Sequence, residues 1–208
     1  MLIQIGQFSR GLSDIIKGFF YNYRTFALTR SDHASYPTFA EINYFRNLGE
    51  MLNFSTEIEA KRNPSDRPAD LVWVDDYNGE YYEDRNLVLH LERETRGWEK
   101  VEQTAEKLFK KTNNKHEVPM GIAIIDNVPD SRIEDTIRIF EDNFHSKNIF
   151  QEFALLIYES FDKKRNSKPI ITKIFPQNNS EIENIEAKFE FVGKYEGDEA
   201  AEFIIISY

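Results

Sequence analysis

Glu92 and Glu94 close the apolar run 87–91 with the spacing of a single strand face. Alternation puts Val88, His90, Glu92 and Glu94 on one side and Leu87, Leu89 and Leu91 on the other. Two carboxylates at i and i+2 repel each other. A hard cation with oxygen ligands, Mg2+ or Mn2+, relieves that repulsion. Asp70 opens the preceding apolar run, 69–74, and Asn78-Gly79 between the two runs is a hairpin signal. If the two runs pair, Asp70 lies beside Glu92. Glu41 stands upstream on a helical pattern. Each of these residues also has a structural alternative. Glu41 is spaced to complete a capping box with Thr38, Asp70 suits a strand start after Pro68, and Glu92 and Glu94 suit a solvated strand end paired with Arg93, Arg96 or nearby lysines.

The elements that would position these groups follow from periodicity. Apolar residues at Phe8, Leu12, Ile15, Ile16, Phe19, Phe20 and Tyr23 mark an amphipathic helix, ended by the polar segment 29–35. A second helix opens with Pro37 in its first turn and carries Phe39, Ile42, Phe45, Leu48 and Leu52 on one side. Strands are expected at 54–60, 69–74 and 87–91, followed by a helix at 98–111 with the stripe Trp98, Val101, Ala105, Leu108 and Phe109. Residues 118–125 are nearly all apolar, as in a strand covered on both faces. Ser131 and Glu134 suggest a cap for a helix bearing Ile133, Ile137, Phe140 and Phe144. Strands are then expected at 153–158, 169–175, 187–192 and 203–207. This mixed order indicates an α/β or α+β domain. We read 1–208 as one domain, with a helical extension over 1–35, a core over 36–126 and a helix-and-strand extension over 127–208. The tail either extends the sheet or makes a homodimer contact together with the N-terminal helix.

Composition excludes several chemistries. The chain has no cysteine, so disulfides and thiolate metal sites are ruled out. His33, His90, His116 and His145 lack metal-ligand spacing, and no serine-nucleophile or phosphate-loop motif occurs. No run approaches the roughly 18 apolar residues of a membrane span, and the N-terminus lacks the pattern of a signal peptide. A cytoplasmic protein without a membrane partner is expected. The net charge of −10 weighs against general DNA binding, which needs local positive charge. Lys61, Arg62, Arg67, Lys107, Lys110 and Lys111 are the cations best placed along the sequence to contact phosphate. Asp75 and Asp76 read as a solvated hairpin.

The ordered carboxylate set resembles that of the PD-(D/E)xK, or restriction-endonuclease-like, nuclease superfamily. That core runs helix, three-stranded meander, helix, strand, with a helix glutamate, an aspartate on the second strand and a (D/E)xK element on the third. Here the matching residues are Glu41, Asp70 in Pro68-Ala-Asp70, and Glu92-Arg93-Glu94; residues 36–126 carry the likeness, less than half of the chain. The resemblance implies an α/β fold with a restriction-endonuclease-like αβββαβ core and a mixed central sheet. It also implies Asp70 and Glu92 as Mg2+ or Mn2+ ligands, with Glu41 as a further ligand or orienting a water. Glu94 stands where the family usually has lysine, an ExE variant. Lys100 would then return a cation to the site, and Gln103 is similar to the helix glutamine of some nuclease branches. The implied catalytic set is Glu41, Asp70, Glu92, Glu94 and Lys100, acting on phosphodiester bonds in DNA. The alternative is a catalytically inactive nuclease-fold scaffold with a protein partner, favoured by the acidic charge and the missing lysine. A third reading, a small-molecule hydrolase or binding protein on an unrelated α/β fold, would require an apolar pocket away from these carboxylates.

Overall fold

Apolar side chains on alternate faces of consecutive strands must be covered on both sides, and the computed structural model is built around that requirement. It describes residues 3–5, 8–22, 24–27, 35–61, 67–75, 87–95, 97–110, 118–147, 149–160, 167–176, 181–195 and 198–207. In chain order these form β1 (Ile3–Ile5), β2 (Phe8–Arg10), α1 (Leu12–Asn22), β3 (Arg24–Ala27), α2 (Ser35–Met51), β4 (Ser55–Ala60), β5 (Ala69–Val74) and β6 (Leu87–Glu94). After a 3-10 turn (Gly97–Lys100) come α3 (Val101–Leu108), β7 (Val118–Val128), a second 3-10 turn (Asp130–Arg132), α4 (Ile133–Lys147) and β8 (Phe150–Glu159). Three long strands finish the chain: β9 (Ser167–Pro176), β10 (Glu183–Tyr195) and β11 (Asp198–Ser207). The hairpin signal Asn78-Gly79 and residues Arg62, Asp76, Arg96, Lys111, His33 and His116 lie outside the described residues.

β3 to β11 make one nine-stranded sheet in the order β3-β11-β10-β9-β8-β7-β6-β5-β4. The β6–β7 and β7–β8 pairs are parallel and the others antiparallel. The protein is therefore α/β with a mixed sheet, and the tail extends that sheet. α3 and α4 lie in the two parallel crossovers and cover one face, where Val72, Ala123, Ile125, Leu155 and Ile157 meet Leu108, Phe109, Phe140 and Phe144. α1 and α2 cover the other, where Leu71, Trp73, Leu91, Ile122, Ile124 and Leu156 meet Ile16, Phe19, Ile42 and Phe45. The unbroken apolar run of β7 is explained by this sandwiching.

Several local expectations need correction. The first helix starts at Leu12 rather than Phe8, and Phe8–Arg10 pairs with Ile3–Ile5 instead. Leu12 N–H donates to Glu152 Oε2 at 3.0 Å, so a carboxylate from β8 satisfies an orphan donor at this helix start. Arg24–Ala27 is an edge strand of the main sheet, paired with β11. Thr38 lies inside α2, which begins at Ser35, so it is not the helix cap. Ser131 lies within a 3-10 turn whose cap is Pro129, with no side-chain capping bond. Trp98 is 43% exposed on its turn, outside the apolar stripe. The Arg132 guanidinium sits 4.7 Å from its ring centroid. Leu87 and Val88 exchange faces relative to simple alternation, because the register shifts between Trp73 and Val74.

Gly49 permits the approach of α2 to β5. A Cβ there would lie 2.6 Å from Trp73 Nε1 and 2.7 Å from Thr56 Cγ2. That indole N–H donates to the Phe45 carbonyl at 3.1 Å in the core. Gly49→Ala is expected to destabilise the fold by about 1–3 kcal/mol through overpacking. A lowered urea midpoint with an unchanged m-value would show it.

Candidate carboxylate site

The antiparallel register Leu71↔Leu91 makes Asp70 and Glu92 the next neighbours on adjacent strands. Both face the α3 side of the sheet. Glu92 is buried, with Oε1 2.7 Å from His90 Nε2 and Oε2 ion-paired to Lys107 Nζ. Lys107 also approaches Asp70 Oδ1 at 3.9 Å. Its position beside buried Leu108 on α3 lets the aliphatic stem run along the sheet and deliver the ammonium between the carboxylates. Asp70 Oδ2 accepts the backbone N–H of Arg93 at 2.6 Å, while 30% of the Asp70 side chain still reaches solvent. Burial pushes the Asp70 carboxyl up to about 6, and the neighbouring Glu92 charge adds to it; Lys107 and the Arg93 N–H oppose the shift. Glu94, half-buried, adds a smaller upward contribution.

Asp70, Glu92 and Glu94 are thus brought to one neighbourhood. Glu41 is not among them. It lies on the opposite face, where Arg93 Nε donates to its Oε2. The reason is strand parity: Arg93, between Glu92 and Glu94, must project towards α2, whose Ile42 and Phe45 pack on that same face. Arg93 Nη2 also donates to Asp126 Oδ2 at 3.1 Å, and Lys168 pairs with Asp126 Oδ1. Two carboxylates and two cations cancel formally. Burial works against the Arg93 charge, but Glu41 and Asp126 outweigh it and hold the guanidinium protonated. Burial pushes the Glu41 carboxyl up, against the pull of Arg93.

Lys100 is on the 3-10 turn and donates to Gln103 Oε1 at 3.2 Å in an exposed pair. The cation that reaches the carboxylates is Lys107, which sequence reasoning placed among the phosphate contacts. The available signal was helical phase, since Lys107 follows buried Thr104 by three residues and precedes buried Leu108, at the border of the buried stripe.

No protein-family model matches this chain, and no curated protein matches it. Among the described residues no three His, Asp or Glu side chains form a group able to hold a metal ion. Asp70 and Glu92 supply two converging carboxylates. That donor set suits Mg2+, which keeps several waters and takes only one or two protein carboxylates. No helix among the described residues is long and apolar enough to cross a membrane.

Proposed function

We propose that this chain is a metal-dependent, nuclease-like protein hydrolysing phosphodiester bonds in DNA through Asp70, Glu92, Glu94 and Lys107. The observation that carries this reading is the pairing of Asp70 with Glu92 on adjacent strands under a lysine delivered by the following helix. The order α2, β4, β5, β6, α3, β7, with β4-β5-β6-β7 adjacent, supports a restriction-endonuclease-like core. Asp70 and Glu92 would hold a divalent cation, Mg2+ or Mn2+. Such a cation supplies Lewis acidity and neutralises charge developing on the phosphate. Lys107 would move from Glu92 to a phosphate oxygen, and Glu94 would accept the proton of the attacking water. The water oxygen bonds to phosphorus as the bond to the leaving nucleotide oxygen breaks, and that oxygen takes a proton from solvent. Lys61, Arg67 and Lys110, on the surface near the loops, are the remaining cations for the backbone of DNA.

One observation favours the alternative, an inactive scaffold of the same fold used for protein interaction: Lys107 already neutralises much of the carboxylate pair. The groove of about 610 Å³ between α3 and α4 lends little to a small-molecule reading, because charged residues such as Glu102, Glu106, Asp142 and Lys147 dominate its lining. Plasmid and single-stranded DNA incubated with Mn2+ test the proposal. Cleavage by wild type that stops in Glu92→Ala is expected. Cleavage appearing only in Glu94→Lys would mark the inactive scaffold.

A further inference from the structure

We propose that Glu41, Arg93 and Asp126 form a clamp on the far face of the sheet that positions Asp70 and Glu92 from behind. The inference rests on the metal-site reading above. Arg93 belongs to both faces. Its backbone N–H lies in the sheet and holds Asp70 Oδ2 at 2.6 Å, while its side chain enters the α2 side. There the guanidinium is gripped at two points by different elements, Nε by Glu41 of α2 and Nη2 by Asp126 of β7. Lys168 of β9 fixes the other oxygen of Asp126.

A planar guanidinium held at two nitrogens has little freedom to rotate. Rotation of β6 about its axis at Arg93 would swing the Glu92 and Glu94 carboxylates and break the bond to Asp70. The clamp therefore sets the orientation of the three carboxylates without touching metal or substrate, so its members are positioning residues.

The energetics agree. A buried ion cluster is a poor source of stability, because desolvation consumes its Coulombic gain. Among the described residues the buried Arg93 Nη1 also finds no hydrogen-bond partner, so the cluster is not fully satisfied by them. A cluster that contributes little net stability but orients the backbone beneath three carboxylates fits a positional role.

Mn2+ titration calorimetry and amide hydrogen exchange on wild type, Glu41→Gln and Asp126→Asn test the clamp. Glu41→Gln keeps the side-chain volume and an acceptor oxygen, and Asp126→Asn gives a second route should the first fail to fold. Mn2+ affinity is expected to fall about 10- to 100-fold, as for other groups that orient metal ligands. The Arg93 amide is expected to exchange faster relative to that of Leu89 on the same strand. Wild-type Mn2+ affinity and unchanged Arg93 exchange in both variants would overturn the clamp, whatever happens to their urea midpoints. If wild type takes up no Mn2+, the nuclease reading fails and the amide decides: selective loss of Arg93 protection supports the clamp, and unchanged relative protection overturns it.

Discussion

Asp70→Asn is expected to stabilise the metal-free protein by about 2–3 kcal/mol at pH 8 and, under the metal-site proposal, to abolish divalent-cation binding. The folded protein holds the Asp70 carboxyl at about 6 against its ordinary 3.8, through burial and the adjacent Glu92 charge. Between these values the folded state binds more protons than the unfolded state, so stability falls as pH rises and levels off above about 6. Each pKa unit corresponds to about 1.4 kcal/mol. Some discount is due because the side chain remains partly exposed. Asparagine removes the charge and keeps an oxygen for the Arg93 N–H. Urea unfolding of both proteins from pH 4 to 8 checks this. The gap should open between about pH 4 and pH 6 and stay constant from there to pH 8, whereas equal stability at pH 8 would show that Asp70 carries no unfavourable charge. A residue that weakens the fold in its ionised state fits a site where a ligand relieves the repulsion.

Arg93→Met is expected to cost about 3–5 kcal/mol, the largest effect of any single change considered. It leaves Glu41 and Asp126 buried with their shared cation gone, and an uncompensated buried charge is far more costly than the intact pair is favourable. Combining it with Glu41→Leu should recover part of the loss, because the double change replaces a buried pair with apolar volume. Urea midpoints of the single and double variants measure this coupling. Equal midpoints for Arg93→Met and wild type would mean that the guanidinium is not the keystone of the cluster.

The sequence made the Asp70–Glu92 pairing legible because period-2 alternation and two apolar runs constrain which side chains can meet. The side of Glu41 was harder, because it depends on which sheet face α2 covers. That is settled by the packing of Ile42 and Phe45 against the strands. The same parity that aligned Glu92 with Glu94 already sends Arg93 to the other face, so the Glu41–Arg93 pair was half-readable. Lys100 and Lys107 were exchanged because the chain first makes a 3-10 turn, Gly97–Lys100, and α3 starts only at Val101. The face switch at Leu87 and Val88 arises from a register irregularity opposite Trp73 and Val74 that alternation does not encode. β3 was missed because its partner, β11, is at the other end of the chain, and a four-residue strand carries almost no local signal.

Calorimetric titration of Mn2+ into wild type and Glu92→Ala separates a cation site from a structural ion pair. A cation site built on Asp70 and Glu92 requires saturable binding to wild type that disappears in Glu92→Ala. Binding retained in Glu92→Ala, or absent from wild type at millimolar Mn2+, would contradict it and leave Asp70 and Glu92 as the two arms of a structural ion pair with Lys107.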